Sequence, residues 1–428
     1  MDFHLIHPAE QILMIMERIY QEGMTTTSGG NVSILDENGD IWITPASIDK
    51  GTLTIKDIVC VKREGPIVGE HRPSSELPFH RSIYQRRSDI KAIIHAHPPA
   101  LVTFSIVRQA PNTNLLPSIN KVCGEVGIAP YALPGSEELG ANIAAEFEKG
   151  YHAVILENHG VVTGGKDLFH TYKVFETLDF SARIEIEAKR LGEPVSPSEE
   201  KLAVIPEKVE NFKEIIPTFH GVKERQLRRE MCDFIHRAYR QQLFTSTQGT
   251  FSQRLEGGSF LITPYNVDRL YIEPGDIVKI EGDTKEAGKV PSRSVQVHKH
   301  IYEMHPHIQS VIIAHPPSMM AFAVNDISFD SKIIPESYIL LRDIPKLSFE
   351  SLYSAPEEAA AFFTEDVPLA LVENNCLIVT GDSLLKTFDR LEVAEYSARA
   401  VIDAVALGDV HPIERKEIKE LEKEFGLV

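Results

Sequence analysis

The first apolar pattern in the chain has helical spacing. Ile12, Ile15, Met16 and Ile19 recur near the period of an α-helix and therefore share one face. The pair Glu22-Gly23 follows, and glycine is common just beyond the end of a helix. The pattern predicts an amphipathic helix that ends near residue 22.

Strands follow this helix. Apolar and polar residues alternate over residues 32–35, and the pair Asn38-Gly39 separates this run from the apolar residues 41–43. Asn-Gly between two such runs is a strong signal for a β-hairpin. Farther along, the pattern predicts a helix, two buried strands and a long closing helix, at residues 77–86, 92–97, 153–156 and 168–191.

The same order of elements returns about 218 residues later. Matching segments include Ile43-Thr44-Pro45 with Ile262-Thr263-Pro264, and His97-Pro98-Pro99 with His315-Pro316-Pro317. A period of this length indicates a duplicated domain, and each copy is long enough to bury its own core. We predict two domains, a first half at 1–217 and a second half at 218–428, with a linker rich in proline and charge at 192–217.

Composition narrows the class of protein. The 428 residues carry a formal net charge of -18, which disfavours nonspecific binding to nucleic acid or to anionic membranes. No apolar run approaches the roughly 18 to 20 residues of a membrane span, and the N-terminus has no signal-peptide pattern, so we expect a cytoplasmic protein. Reduced, buried thiols are expected, because no CxxC pair occurs among Cys60, Cys123, Cys232 and Cys376.

Three histidines and a glutamate form the strongest chemical signal. His95 and His97 are two residues apart at the end of an apolar strand, so their side chains project from the same face. His159 stands where a second buried strand gives way to a loop, a position from which functional groups project. Three neutral imidazoles and the carboxylate of Glu76 are a suitable donor set for a tetrahedral Zn²⁺ ion.

These residues belong to a longer run that resembles the class II aldolase/adducin family. The resemblance covers residues 1 to about 195 and rests on Ser74-Ser75-Glu76-Leu77, His80, Tyr84, Asp89, Ile94-His95-Ala96-His97-Pro98, Pro130-Tyr131, Pro134-Gly135 and Asn158-His159-Gly160. It implies an α/β fold, namely a tandem pair of three-layer α/β/α domains, each with a central and mostly antiparallel sheet. It also implies that His95, His97 and His159 are metal ligands, and that Glu76 is an acid/base carboxylate that can contact the metal.

The resemblance implies a reaction as well. A glutamate at position 76 is typical of the aldolases and of related dehydratases and decarboxylases, whereas the epimerases of the family have an aspartate there. We expect a zinc-dependent aldehyde-lyase that cleaves a ketose or ketose phosphate by a retro-aldol reaction, through a metal-stabilised enediolate. A decarboxylase or dehydratase of a sugar acid or sugar phosphate stays open, as does a non-catalytic, adducin-like scaffold. One zinc ion per chain is expected, although another divalent transition metal would use the same donors.

A turn rich in hydroxyls and glycine offers a place for an anionic group. Residues 27–31 have the composition of an anion nest, which includes Ser28 and Gly29. By resemblance to the sugar-phosphate aldolases, the substrate phosphate would also contact Asn31, Thr44, Ser74 and Ser75. Ala46-Ser47 stands where many members have glycine, so a carboxylate or an unphosphorylated substrate stays open.

The second half has lost most of this site. In the sequence alignment, the counterparts of Glu76, His95, His97 and His159 are Ser294, Ile313, His315 and Cys376. One imidazole and one thiol remain, without the carboxylate that acts as a base. We predict that the second half is a pseudo-enzyme domain with a structural role.

The first half also lacks a general acid. In the fuculose-phosphate aldolases, a tyrosine that follows an Ile-Pro pair in a neighbouring subunit protonates the leaving aldehyde oxygen. The matching stretch 116–121 has no tyrosine, whereas the second half has Tyr338 after Ile334-Pro335. We hypothesise that Tyr338 is the catalytic acid of the first half, with a packing role as the alternative. Because family members usually form tetramers, two chains are expected to form a pseudo-tetrameric homodimer.

Overall fold

The computed structural model describes residues 3–205, 212–217 and 219–427. The chain divides into two compact units, one of Met1–Asn114 with Ser118–Arg183 and the other of Leu115–Pro117 with Ile184–Val428. Each unit contains one large sheet. Among the described residues, no helix is both long enough and apolar enough to cross a membrane.

The sheet of the first unit has eight strands. They are β1 (Asn31–Leu35), β2 (Ile41–Ile43), β3 (Val59–Val61), β4 (Ile67–Val68), β5 (Ala92–Ala96), β6 (Gly127–Ala129), β7 (Ala153–Leu156) and β8 (Gly160–Gly165). Their order across the sheet is β4-β3-β2-β1-β5-β8-β7-β6. Neighbouring strands are antiparallel except β6 and β7, which are parallel.

Helices surround this sheet. Along the first 191 residues they are α1 (Pro8–Gln21), α2 (Leu77–Arg86), α3 (Pro99–Ile106), α4 (Pro117–Cys123), α5 (Glu137–Glu148) and α6 (Leu168–Leu191). Local sequence sets their ends: Pro8 begins α1, and the side chain of Ser136 accepts a hydrogen bond from the N–H of Leu139 at the start of α5. The apolar faces of α2 and α5 join those of the strands in one buried core, which includes Phe79, Ile83, Ile93, Ile143, Phe147 and Val162.

The register of the central strands brings polar residues to one end of the sheet. Asn31 at the start of β1 pairs with His95 near the end of β5, and His95 pairs in turn with Val162 of β8. Pro98 stops β5, because proline has no N–H to donate to a strand ladder. A buried sheet therefore ends in a cluster of side chains that can bind or react.

The second unit repeats this arrangement with nine strands. They are β9 (Lys213–Ile215), β10 (Thr250–Arg254), β11 (Phe260–Ile262), β12 (Val278–Glu281), β13 (Thr284–Glu286), β14 (Ser310–Ala314), β15 (Lys346–Leu347), β16 (Leu369–Val372) and β17 (Cys376–Gly381). The order is β15-β16-β17-β14-β10-β11-β12-β13-β9. Two pairs of strands, β9 with β13 and β15 with β16, are parallel.

The remaining helices belong to the same unit. They are α7 (Glu199–Leu202), α8 (Val222–Arg240), α9 (Val295–Met304), α10 (Pro317–Ala323), α11 (Pro335–Leu341), α12 (Ser351–Ser354), α13 (Pro356–Ala361), α14 (Leu384–Val405) and α15 (Arg415–Glu424). Helix α9 packs on α13 as α2 packs on α5 in the first unit. The second core repeats the first, with Val297, Ile301, Val311, Phe363 and Ile378 among its members.

The structure confirms the predicted fold class, two α/β copies with mostly antiparallel sheets. Helices predicted at 77–86 and 168–191 have those bounds. The segment predicted as a linker differs in part, because Lys213–Ile215 forms β9 and pairs with β13. Residues 206–211 of that segment lie outside the described residues. The boundary at residue 217 stays a prediction.

Candidate metal centre

Three histidine side chains of the first half come together at the end of the sheet. His95 lies in β5, and His97 follows directly after that strand. His159 lies in the turn between β7 and β8, next to Asn158, whose φ of 54° is left-handed. Asparagine tolerates this conformation better than most residues, so the turn can be tight. The antiparallel pairing of β5 with β8 then brings the turn close to His97.

The spacing of the three rings suits a metal ion. One nitrogen of each ring lies within 4.8 Å of the others, and Nε2 of His95 is 3.1 Å from Nε2 of His97. Nitrogens bound to a tetrahedral zinc ion are about 3.3 Å apart, because each lies about 2 Å from the ion. The three histidines therefore fit a divalent cation without rearrangement of the strands that carry them.

Burial keeps the imidazoles neutral, which is the form that binds metals. His95 is fully buried, and its Nδ1–H donates to the carbonyl oxygen of Val161 at 2.9 Å, so the lone pair is on Nε2. Burial, and then the nearby His159, lower the pKa of His95 to about 3. Burial, and then His95, lower the pKa of His97 to about 4. Burial also lowers the pKa of His159. All three rings are therefore uncharged at neutral pH.

The carboxylate of Glu76 joins the histidines. Glu76 is the N-cap residue of α2, and its side chain is 12% exposed. Its Oε2 lies 3.3 Å from Nε2 of His95, and its Oε1 lies 3.7 Å from Nε2 of His159. The structure thus places together the four residues predicted as a metal site, with a carboxylate that can either bind a cation or stand beside it.

A buried chain of hydrogen bonds leads to Glu76. The amide Nδ2 of Asn31 donates to Oε2 of Glu76 at 2.7 Å, and Oδ1 of Asn31 is 2.5 Å from Nε2 of His80. Nδ1 of His80 is 2.7 Å from Oγ of Ser33, which is 2.7 Å from the hydroxyl of Tyr84. Burial keeps the pKa of His80 well below its usual range, so this ring is neutral and donates from Nε2 alone.

Each bond in this chain donates toward Glu76. Such a series of polarised donors orients the carboxylate and stabilises its charge. We call these residues the donor chain: Tyr84, Ser33, His80 and Asn31. His80 and Tyr84 belong to the run that resembles the family, but their sequence positions indicate no role for them. Their role depends on the packing of α2 against β1, which a sequence alone does not show.

Two glycines make room for His97. A Cβ atom on Gly160 would lie 2.6 Å from Cδ2 of His97 and 2.7 Å from the carbonyl oxygen of Ala96. A Cβ atom on Gly29 would lie 3.0 Å from Nδ1 of the same ring. Any larger residue at position 160 must therefore move the ring or the backbone of β5.

The predicted anion-binding residues divide into two groups. Ser28 and Ser75 are exposed and could meet a ligand. Thr44 is fully buried, and its hydroxyl accepts a hydrogen bond from the N–H of Val32. Asn31 is held by Glu76 and His80, as described above.

Two further members of that set serve the local turns. The hydroxyl of Ser74 accepts a hydrogen bond from the N–H of Glu76 at 3.3 Å, and the N–H of Gly29 donates to the carbonyl oxygen of Thr26 at 3.2 Å. The nest predicted at residues 27–31 therefore uses one of its glycine N–H groups to close its own turn.

Tyr338, the predicted acid, is buried within its own half. It lies in α11 and is 5% exposed. Its hydroxyl donates to Oε1 of Glu422 in α15 at 2.7 Å. Burial, and then this hydrogen bond, raise the pKa of Tyr338 to about 12.

The structure corrects one pair in the alignment of the two halves. Asn158 and Asn374 both have left-handed φ angles, of 54° and 49°, and the next residue in each half donates its N–H back to the preceding strand. The counterpart of His159 is therefore Asn375, and Cys376 corresponds to Gly160. This shift of one residue is invisible in the sequence, because Asn374 and Asn375 are adjacent and either can be aligned with Asn158.

This correction removes the sulfur donor from the second site. Cys376 is buried at the start of β17, and burial raises the pKa of its thiol to about 12, so it is not a thiolate at neutral pH. Of the histidine positions only His315 remains. Across the described ranges 3–205, 212–217 and 219–427, the first half contains the one cluster of three or more metal-binding side chains.

Comparison with known families agrees with the two copies. The model of the class II aldolase and adducin N-terminal domain matches residues 10–186 and again residues 229–402. Together these segments cover most of the chain.

Individual relatives include both aldolases and decarboxylases. A 5-deoxy-D-ribulose 1-phosphate aldolase of Bacillus thuringiensis is 30% identical over 47% of this chain and 95% of its own length. An L-fuculose phosphate aldolase of Methanococcus maripaludis is 34% identical over 41% of this chain and 93% of its own length. A 3-oxo-tetronate 4-phosphate decarboxylase of Pectobacterium atrosepticum is 31% identical over 41% of this chain and 77% of its own length. The chain belongs to the class II aldolase and adducin family, as a tandem duplication whose second copy has a degenerate site.

Proposed function

We propose that this protein is a metal-dependent lyase that cleaves a ketose or ketose phosphate by a retro-aldol reaction in its first half. The observation that carries the proposal is the position of Glu76, whose carboxylate lies 3.3 Å from one ring of the histidine cluster. A carboxylate beside three neutral imidazoles combines a base with a cation site. The same arrangement argues against a purely structural role for this half.

His95, His97 and His159 would hold the cation, and Glu76 would act as its partner in proton transfer. A divalent cation bound there supplies Lewis-acid stabilisation of negative charge on the substrate oxygens. The two oxygens of Glu76 have different tasks. Oε2 accepts the hydrogen bond from Asn31, so Oε1 is the atom available to take the proton of a substrate hydroxyl.

The substrate class follows from the relatives and from the exposed hydroxyls. The aldolase relatives are named for ketose phosphates, 5-deoxy-D-ribulose 1-phosphate and L-fuculose phosphate. Ser28 and Ser75 are exposed and offer hydroxyl donors to an anionic group of the substrate. Because the chain has a net charge of -18, the cation and these local donors must provide the attraction.

Decarboxylation of a sugar-acid phosphate is a second candidate. A retro-aldol reaction needs a proton-transfer group at the hydroxyl that becomes the aldehyde oxygen, whereas a carboxylate loses CO₂ without proton transfer at that end. The stretch 116–121, where related aldolases have a tyrosine, has none, and a relative named as a decarboxylase is 31% identical. For Tyr338 to serve as this group, its hydroxyl would have to leave Glu422.

The two reactions give different products, so one assay separates them. The purified, metal-loaded protein is incubated with L-fuculose 1-phosphate, 5-deoxy-D-ribulose 1-phosphate and 3-oxo-tetronate 4-phosphate. Release of an aldehyde supports the aldolase, and release of CO₂ supports the decarboxylase, whereas dihydroxyacetone phosphate forms in both reactions. Turnover that survives in His97→Ala would contradict both. If cleavage is observed, Tyr338→Phe tests the acid: unchanged turnover with metal still bound excludes Tyr338.

A further inference from the structure

The second half keeps the backbone framework of the first site. In the first half, the N–H of Ser74 donates to the carbonyl oxygen of Thr44, and the N–H of Glu76 donates to the hydroxyl of Ser74. In the second half, the N–H of Ser292 donates to the carbonyl oxygen of Thr263 at 3.0 Å, and the N–H of Ser294 donates to the hydroxyl of Ser292 at 3.4 Å. The turn has therefore survived the loss of the metal ligands.

The second half also keeps the start of the donor chain. The hydroxyls of Tyr302 and Ser252 are 2.7 Å apart, and Oγ of Ser252 is 2.7 Å from Nδ1 of His298. These are the same contacts as those of Tyr84, Ser33 and His80. Burial lowers the pKa of His298 to about 3, so its ring is neutral. Oγ of Ser252 also lies 3.5 Å from the carbonyl oxygen of Val311, but the contact with His298 is much shorter, so we assign the hydroxyl proton to Nδ1 of His298. Nε2 then carries the N–H of the ring.

The protein's own acceptor for this chain has been removed. In the first half the chain continues through Asn31 and ends on the carboxylate of Glu76. The corresponding residues are Thr250 and Ser294, neither of which is anionic. His298 is fully buried, yet its Nε2 has no hydrogen-bond partner among the described residues. Leaving a buried donor unpaired is destabilising, so an acceptor supplied from outside would be stabilising.

Hydroxyl groups at the positions that correspond to Asn31, Ser74 and Glu76 offer another free donor. Oγ1 of Thr250 is 2.6 Å from Oγ of Ser292, which is 3.1 Å from Oγ of Ser294. Three hydroxyls carry three protons, and the two contacts among them use two. One proton is therefore left for an acceptor outside the cluster.

A cation completes the set. Arg293 stands where the first half has Ser75; it is exposed, and its guanidinium lies 5.4 Å from the centre of the Tyr265 ring. Within the described residues, no carboxylate forms an ion pair with it. Its charge acts on His315, the counterpart of the predicted metal ligand His97. Burial, and then Arg293, lower the pKa of His315 to about 4.

We propose that the second half binds, without a metal, the oxyanion group of a small molecule. Arg293 supplies the charge, and the remaining donors come from Thr250, Ser292, Ser294 and His298. The group is a phosphate or a carboxylate, because both match the fork of a guanidinium and accept several hydrogen bonds. The site holds no carboxylate base and no cluster of metal ligands, so its role is binding.

The logic of charge favours this assignment. In the first half, a divalent cation and one carboxylate would leave a net charge of one positive unit for the substrate. In the second half, Arg293 alone supplies the same net charge at the adjoining position of the same turn. A ligand with one oxyanion could therefore occupy either framework, although only the first has a base.

Site-resolved chemical modification tests this directly. The metal-loaded full-length protein is treated with phenylglyoxal, and modification of each arginine is followed by peptide mass spectrometry. Inorganic phosphate and glycerate are the two probes, one for each kind of oxyanion. Saturating probe should slow modification of Arg293 by about tenfold, since a charge-assisted pair buries the guanidinium. Arg225, an exposed arginine of α8 that forms no ion pair with any described residue, is the internal control.

The outcomes are distinct. Protection by phosphate alone, or by glycerate alone, identifies the kind of oxyanion and supports the proposal. Equal modification of Arg293 with and without both probes overturns it. Because the readout is at Arg293 itself, ligand bound to the first half does not interfere.

A binding measurement with variants gives a second, independent test. Isothermal titration of the same protein with the protecting probe should show that Arg293→Ser weakens one binding event by about tenfold or more. Arg225→Gln should leave both events unchanged. Identical isotherms for wild type and Arg293→Ser would contradict the site even if Arg293 were protected.

Discussion

At the scale of single residues, the two oxygens of Glu76 carry the proposed chemistry. Glu76→Gln keeps the size of the side chain and an oxygen that can accept from Asn31, but it removes the base. We expect turnover to fall by about a hundredfold to ten-thousandfold. Metal content should stay near that of wild type, because the three histidines remain. Glu138→Gln, at an exposed position of α5, is the control; turnover of Glu76→Gln within a few-fold of it would contradict the role.

The space around His97 gives a second prediction at this scale. Gly160→Ala would place a Cβ atom 2.6 Å from the His97 ring and 2.7 Å from a backbone oxygen, so the ring must move. Metal affinity should fall by about ten- to a hundredfold, as it does when the support of a ligand is disturbed. Gly140→Ala is the control, because a Cβ atom there would meet only ordinary contacts of 3.5 Å or more. Equal metal affinity in the two variants would show that His97 is not tightly constrained.

The sequence was sufficient for residues whose placement depends on local spacing. His95 and His97 are two apart on a strand, and the structure places their Nε2 atoms 3.1 Å apart. Thr44 and Asn31 were harder to interpret, because their hydrogen-bond partners come from other parts of the fold. The one-residue shift that pairs His159 with Asn375 depends on backbone angles, which no residue pattern reveals.

At the scale of elements, the donor chain joins β1 and α2 in one function. Asn31→Ala removes the donor to Glu76 and leaves Nε2 of His80 without an acceptor. We expect turnover to fall by about tenfold or more, with metal content unchanged, because a buried bond to a charged group is lost. Asn114→Ala, at an exposed asparagine, is the control. Loss of metal together with turnover would instead indicate general damage to the site.

Elements with strong periodicity were predicted well. The long helix at 168–191 and the strands that carry the histidines have apolar patterns that admit few other structures. Strand β9 was missed, because Lys213–Ile215 lies in a segment rich in charge and proline and is exposed. Its pairing with β13 depends on a partner about 70 residues away, which local pattern does not disclose.

At the scale of the whole molecule, buried histidines make stability depend on pH. In the metal-free protein, burial lowers the pKa of each of His80, His95, His97, His298 and His315. The unfolded chain therefore binds more protons than the folded chain once the pH falls below about 6.5. Each histidine should cost about 1 kcal/mol of stability between pH 6.5 and 5.5.

Two buried carboxyl groups act in the opposite direction. Burial, and then Glu187, raise the pKa of Glu395 to about 7, and burial raises the pKa of Asp179, so both residues favour folding as the pH falls. Five histidines outweigh two carboxyl groups. Urea unfolding of the metal-free protein should therefore show lower stability at pH 5.5 than at pH 6.5. Equal or greater stability at pH 5.5 would contradict the neutral state of these rings.

The duplicated architecture was evident in the sequence, because both copies keep the residues that build the framework. The changes at the second site were only partly evident from the sequence. The lost ligands could be listed, whereas the retained contacts of Ser252, His298 and Tyr302 became visible only in the folded chain. The hydrogen-bonded framework of the second half is therefore retained although its metal ligands are lost, and it is available for another ligand.

The most direct test of the account is the metal content of the purified protein, prepared without chelators, for wild type and His97→Ala. The account predicts about one divalent ion per wild-type chain, since one half alone has the donor set, and little or none in the variant. Two ions per chain would mean that the second half binds metal after all. No metal in wild type, or the same content in His97→Ala, would contradict the metal centre itself.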